Sequence, residues 1–333
     1  MANKRLAHAA AAVLVLAAAG TTFAQALAQV PAQARTVEDH LMAARRAART
    51  DFTGTIARIC IVPDAPFTIK KGGPPPVVPA RDSWYAAPTQ MFDNLYWVGT
   101  KVHSSWALKT SEGIILIDTL YHYAAEPEIV DGLKKLGLDP ASIKYVIVSH
   151  AHGDHDEGAR LLQDRFGARV VMSASDWDLI AQQDVPGGVP RRDIVAADGD
   201  KITLGDTTVT LVATPGHTQG TLSALFTVKD HGKPLSVVYA GGTAFNFQHD
   251  AAHYTTYINS QRKLAQAAAD AGATVLMTNH SEFDDAYQRG RIVQVRQPGE
   301  RHPYDMGAEA VARYFTVTSE CAEAARMNLA KAP

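Results

Sequence analysis

The sequence predicts an α/β protein built as a four-layer αββα sandwich with an N-terminal helical extension. Short β-rich runs come in two batches, residues 94–172 and 201–240, each mixed with helical segments, and two sheets packed face to face under outer helices account for that order. Several apolar strands lead straight into polar, histidine-bearing loops, which sets those loops at one rim of the sheets. The composition, 46% hydrophobic and 20% charged over 333 residues, is that of a globular chain with a substantial core.

Residues 1–24 read as a cleavable signal. Lys4 and Arg5 precede an Ala/Leu/Val run over 6–20 that is too short for a membrane span. Small residues at Thr22 and Ala24, or Ala24 and Ala26, suit a signal peptidase, so the mature chain is expected to start near Gln25 or Leu27. A periplasmic or secreted protein with no stable membrane association follows, with an uncleaved anchor as the alternative. Residues 25–83 form an N-terminal extension: a helix over 37–50, capped by Thr36 with Asp39 three positions later, and a connector over 63–79 with six prolines and a Gly-Gly pair. That extension could cover the active site, dock on the sandwich or mediate dimerisation.

The catalytic domain is placed at 84–330. Strands are expected at NLYWVGT, SSWALKT and GIILIDT, then a helix over 125–136, the strand 144–148, a helix over 156–166 and a strand over 169–172. A helix beyond Ser175 leads to strands at 201–204, 207–212, 221–228 and 235–240. Helices over 254–271 and 305–329 bracket a last core strand, 274–277.

The net charge is −2, and −4 once Lys4 and Arg5 are removed. Basic residues are scattered, so nucleic acid is excluded as the expected partner in favour of a small-molecule substrate. Cys60 and Cys321 are the only cysteines, and an oxidising compartment would allow them to clip the extension to the C-terminal helix. Neither stands in a close Cys/His pair, which makes them poor metal ligands.

The strand KYVIVS runs into His150-Ala151-His152-Gly153-Asp154-His155, four metal-competent side chains within six residues. Alternate residues His150 and His152 can face one centre while Asp154 and His155 turn to a second, and imidazole with carboxylate is a donor set that zinc accepts. His217, in ATPGHTQGT, and His280, in MTNHSEFD, each follow a strand in the same way. A lone histidine is most often a surface or core residue; this cluster with two similarly placed partners is not.

H-A-H-G-D-H, then P-G-H-T, then N-H-S resembles the metallo-β-lactamase superfamily over residues 84–288. The absence of cysteine from these loops and the histidine directly after Asp154 resemble subclass B3. The resemblance implies two Zn2+ ions, one on His150, His152 and His217 and one on Asp154, His155 and His280, with Asp154 orienting a zinc-activated water that opens a β-lactam amide. In related lactonases and glyoxalase-II-like hydrolases an Asp after the strand equivalent to 235–240 bridges both metals; here the chain continues Gly241-Gly242-Thr243. B3 enzymes usually place there a serine that binds the substrate carboxylate, which leaves Thr243 or Asn246 to take that role.

Asp118, closing GIILID, is expected to fix a ligand histidine or simply to form a turn. His103, Trp106, His122, Trp177, Tyr254 and Tyr257 are candidates for the pocket lining, and His40, His231, His249, His253 and His302 are expected in solvent. Two alternatives stay open: an ester or lactone hydrolase of the same fold, and a non-catalytic zinc-binding interaction protein.

Overall fold

A computed structural model describes residues 35–63, 67–68, 77–245 and 248–330. The proposed signal, 1–24, and Asn246 fall outside the described residues. The described residues from 36 onward make one compact unit, so the helices of the extension belong to the same body as the sheets. Among the described residues no helix is long and apolar enough to cross a membrane.

The first sheet has seven strands in chain order: β1 (Thr89–Phe92), β2 (Leu95–Trp97), β3 (Trp106–Thr110), β4 (Gly113–Ile117), β5 (Ile143–Ile147), β6 (Arg169–Ser173) and β7 (Ile194–Ala196). Its first four strands pair antiparallel and the rest pair parallel. The second sheet follows with β8 (Lys201–Leu204), β9 (Thr207–Ala213), β10 (Leu222–Asp230), β11 (Lys233–Ala240) and β12 (Val275–Thr278), ordered β12-β11-β10-β9-β8. Because β9 and β11 both run antiparallel to β10, and β12 runs parallel to β11, the three share one direction.

Four layers require three apolar seams, and three hydrophobic clusters are present. In β4, Ile115 and Ile117 face the seam between the sheets while Ile114 and Leu116 face the outer helices. The same alternation in β11 sends Leu235, Val237 and Tyr239 inward and Val238 and Ala240 outward. A strand buried on both faces reads as a continuous apolar run, which is why GIILI and VVYA carry no polar alternation.

Over the first sheet lie the stretch from His122 to Lys135, which includes a π-helical segment Ala125–Val130, and helices α3 (Ala159–Phe166) and α4 (Ala174–Ile180). Over the second lie α1 (Val37–Ala48), α2 (Thr53–Ile59), α5 (Ala251–Asp270) and α7 (Ala308–Leu329), with α6 (Ala286–Val295) reaching back toward β1.

The capping box expected of Thr36 and Asp39 is formed at the start of α1, with Asp39 N–H donating to Thr36 Oγ1 at 3.1 Å. Cys60 and Cys321 form a disulfide with Cα atoms 4.7 Å apart, joining the end of α2 to α7. The helix expected over 37–50 is α1, ending at Ala48, and β1, β7, α2 and α6 are additions. Each is short, and each is held by neighbours distant in sequence. Three motif-free histidines expected in solvent are buried: His40 beside Glu320 at 2.6 Å, His253 at the start of α5, and His302, stacked on Phe92 and 2.7 Å from Met91 O. Only a tertiary fold brings those partners together. His231 is exposed as expected, and the His249 side chain lies outside the description.

Candidate metal centre

Every candidate ligand leaves a strand at the same rim. β5 ends into the loop of His150, His152, Asp154 and His155; β9 ends into that of His217; β12 ends into that of His280. The first sheet thus supplies one loop and the second sheet two. At Gly216, before His217, φ is +141° and an added Cβ would lie 2.8 Å from Tyr257 Cα, so this turn needs glycine.

His150, His152 and His217 form one group with ligand atoms within 4.8 Å of one another. His150 Nδ1 lies 2.9 Å from Gly241 O and His217 Nδ1 2.6 Å from Ala244 O, which fixes both rings with Nε2 aimed into the group. His150 Nε2 is buried and has no hydrogen-bond partner. An orphaned buried acceptor is costly, and a bound cation removes that cost. Burial, with the neighbouring imidazoles, holds His150 and His217 well below the usual histidine range; burial takes His152 down to about 4. Three neutral imidazoles therefore converge, as metal ligation needs.

A second group centres on Asp154 Oδ2, 3.0 Å from His155 Nε2, 3.1 Å from His280 Nε2 and 3.6 Å from His103 Nε2. His155 and His280 present their Nε2 atoms 3.2 Å apart. Burial would raise Asp154, but His155 and His280 hold it well below the carboxylate range. Burial would lower His155, yet the Asp154 and Asp118 carboxylates push it up to about 10. Two carboxylates on one buried imidazole favour positive charge there, carried by a proton or by a cation.

Three residues brace the ligands. Asp118, fully buried at a φ of +62°, accepts from Ser149 N–H at 2.7 Å, Ser149 Oγ at 2.9 Å and Tyr239 OH at 2.6 Å, and its Oδ2 lies 3.1 Å from His155 Nδ1. Asp176, at the start of α4, ties two ligand loops together. It accepts from Ala151 N–H at 2.9 Å on one side and from Thr218 Oγ1 at 2.8 Å and Gly220 N–H at 3.0 Å on the other. Asn279 donates to Gly241 O at 2.8 Å from between the two groups. Sequence reasoning missed Asp176 and Asn279; adjacency to His280 was the one local signal, and it pointed only to Asn279.

The structure does not bring Thr243 to the site. It is buried, and its hydroxyl shares a 2.7 Å hydrogen bond with Tyr314 of α7 behind the second sheet. Trp106, Trp177, Tyr254 and Tyr257 are core residues. His103 does stand at the site, and with His122, Trp84, Tyr121 and the connector residues Val77 and Val78 it lines an apolar cavity of about 430 Å³. Gly241 and Gly242 have no room for side chains: a Cβ would meet Leu222 O at 1.8 Å at the first and His217 Cβ at 2.5 Å at the second.

Residues 98–230 match the family model described as the metallo-beta-lactamase superfamily. Among solved structures, the chain is similar to BJP-1, a subclass B3 metallo-beta-lactamase of Bradyrhizobium japonicum. The TM-score is 0.60 and the identity 29%, over 70% of this chain and 91% of that one. Curated relatives include a hydroxyacylglutathione hydrolase of Acidiphilium cryptum, 39% identical over 25% of this chain and 31% of that protein. The N-acyl homoserine lactonase AttM of Agrobacterium fabrum is 31% identical over 45% of this chain and 63% of its own length. The chain spans less than two thirds of the length of these curated relatives.

Proposed function

We propose that this chain, whose residues 98–230 match the metallo-beta-lactamase superfamily model and which has a subclass B3 enzyme among its structural neighbours, is an exported, zinc-dependent hydrolase that opens the amide of β-lactams. His150, His152 and His217 would hold one zinc and Asp154, His155 and His280 the other. The donor set fits: imidazoles and one carboxylate, with a buried ring nitrogen that has no partner among the described residues. When bound, the zinc pair supplies a water of lowered pKa and a Lewis acid for the scissile carbonyl.

The chain's own residues do the rest. Asp154, held ionised by His155 and His280, accepts a hydrogen bond from the attacking water and fixes its direction. Asp118 keeps the His155 ring from turning, with Ser149 and Tyr239 holding Asp118 in turn. The apolar wall of Val77, Val78, Trp84 and Tyr121 excludes water on one side and suits an apolar substituent on the substrate.

The observation that carries the choice of lactam is the Gly241-Gly242 pair. Its close approach to Leu222 O and His217 leaves no place for a carboxylate between the two groups, an arrangement that supports the B3-like reading over the lactonase and thioesterase one. An ester or lactone substrate is the second reading, favoured by the likeness to AttM. Export is supported by the Cys60–Cys321 disulfide, a bond of oxidising compartments.

Zinc-loaded protein assayed against a carbapenem, a cephalosporin, an aryl ester, an acyl homoserine lactone and a glutathione thioester decides between the readings. Lactam turnover that vanishes with chelation and returns with zinc is the expected result. Turnover of the esters or thioester alone would replace the first reading with the second.

A further inference from the structure

We propose that His103 is a fourth protein ligand of the second metal position, completing a set of three imidazoles and one carboxylate with Asp154, His155 and His280. The inference rests on the two-metal reading of the site.

The backbone aims His103 there. Residues 102–104 run antiparallel to residues 279–281: Ser104 N–H donates to Asn279 O at 2.9 Å and Ser281 N–H to Val102 O at 2.7 Å. His103 and His280 are the bridged pair between those bonds. That is a non-hydrogen-bonded pair, the arrangement in which opposed side chains leave the same face and come closest. The two rings accordingly sit with centroids 4.9 Å apart. The strap is itself pinned, with His103 N–H donating to Thr100 Oγ1 at 2.8 Å and Thr100 N–H to His103 O at 2.7 Å. Tyr121 closes the far side of the ring edge-on at 5.2 Å.

The distances from Asp154 suit one ion. Around a tetrahedral zinc with bonds of about 2.0–2.1 Å, ligand atoms lie roughly 3.3 Å from one another. Asp154 Oδ2 is 3.0 Å from His155 Nε2, 3.1 Å from His280 Nε2 and 3.6 Å from His103 Nε2. His103, Asp154 and His280 present ligand atoms within 4.8 Å of one another, a group that leaves out His155; the His103 and His155 ring centroids are 6.4 Å apart, so those two rings must draw together on a shared ion. The first group has no such extra donor among the described residues. The two positions therefore differ: three imidazoles with an open place at the first, a nearly filled shell at the second. Closed shells of this kind hold zinc firmly and leave little place for water.

The test compares wild type, His103→Ala and His103→Phe; the second keeps a ring against Tyr121 without a donor atom. Zinc content is measured by mass spectrometry under increasing chelator, and X-ray absorption counts imidazoles per zinc. The expected result is two zincs in wild type with about three imidazoles each, on average. In both variants one zinc should be lost at a chelator concentration about ten-fold lower or less, the other held as before, and the mean imidazole count should fall. Circular dichroism and thermal melting confirm that the variants fold, and a misfolded His103→Ala leaves His103→Phe to decide. Two zincs held equally well by a folded variant, with an unchanged imidazole count, would overturn the role of His103 and leave the two-metal site intact. A wild-type protein that binds no zinc would overturn both.

Discussion

Replacing Asp176 by alanine should both loosen the fold and weaken the first metal position, because this carboxylate joins the loop of His150 and His152 to the loop of His217. The substitution strips Ala151 N–H and Gly220 N–H of their partner, whereas Thr218 Oγ1 keeps Thr221 Oγ1 at 2.9 Å. Two buried amides left unsatisfied cost about 1–3 kcal/mol each. Burial already pushes the Asp176 carboxyl upward, a cost that the deletion relieves, so the lower part of that range applies and the net loss is about 3 kcal/mol. For a body of this size that corresponds to roughly 5–10 °C in Tm. Asn is no rescue, since whichever oxygen its amide replaces would point a donor at another donor. Leu133→Ala, in the seam under the first sheet, is the control, with a similar expected loss of about 2–5 kcal/mol and no link to the ligands. Urea unfolding gives the stability and chelator titration the metal affinity. If Asp176→Ala melts within a degree of wild type, or if it and Leu133→Ala lose zinc at the same chelator concentration, the bracing argument fails.

Gly242→Ala drives a Cβ to within 2.5 Å of His217 Cβ and 2.9 Å of Thr221 Cγ2, and is expected to displace that ligand and release one of two zincs; elemental analysis that still finds two tightly held ions would refute it. Burial pushes Glu128 up to about 8, against the Ala86 N–H that it accepts at 3.1 Å. A raised carboxyl holds its proton longer in the folded state, so its stabilising contribution is complete below the ordinary value near 4.5 and is lost as pH rises to about 8. Glu128→Gln should therefore match the parent near pH 4.5 and exceed it above pH 8 by on the order of 5 kcal/mol; a gap that ignores pH in urea titrations would contradict this. Replacing both Cys60 and Cys321 by serine opens a loop of 261 residues and should cost about 4–5 kcal/mol. Thiol titration of the denatured wild type should find no free thiol before reduction and two after, and free thiols in the unreduced protein would exclude the bond.

The parts of this protein legible in its sequence are those whose signal is local. Ile114 to Ile117 announce a strand buried on both faces, as they are in the fold; four metal-competent side chains crowded between His150 and His155 announce a metal loop, and His150, His152 and Asp154 fall into two candidate metal groups. Thr243 misled because a hydroxyl after a strand end looks available to a substrate until Tyr314, 71 positions later, is seen to occupy it. His103 offered no motif at all. Its place depends on pairing with residues 279–281, far along the chain, and nothing within its own neighbourhood foretells that bridge. Asp176 likewise works through partners on either side of it at separations of 25 and 44 residues.

The bond between Cys60 and Cys321 turns the greater part of the polypeptide into a closed ring that contains both sheets and every proposed ligand. A protease that nicks an exposed turn such as residues 182–192 would then produce no separate fragments. The cut chain would migrate as a single species on a non-reducing gel and divide in two only when reductant is added. Limited digestion, run in both ways, thus reports where the surface is accessible without dismantling the molecule under study.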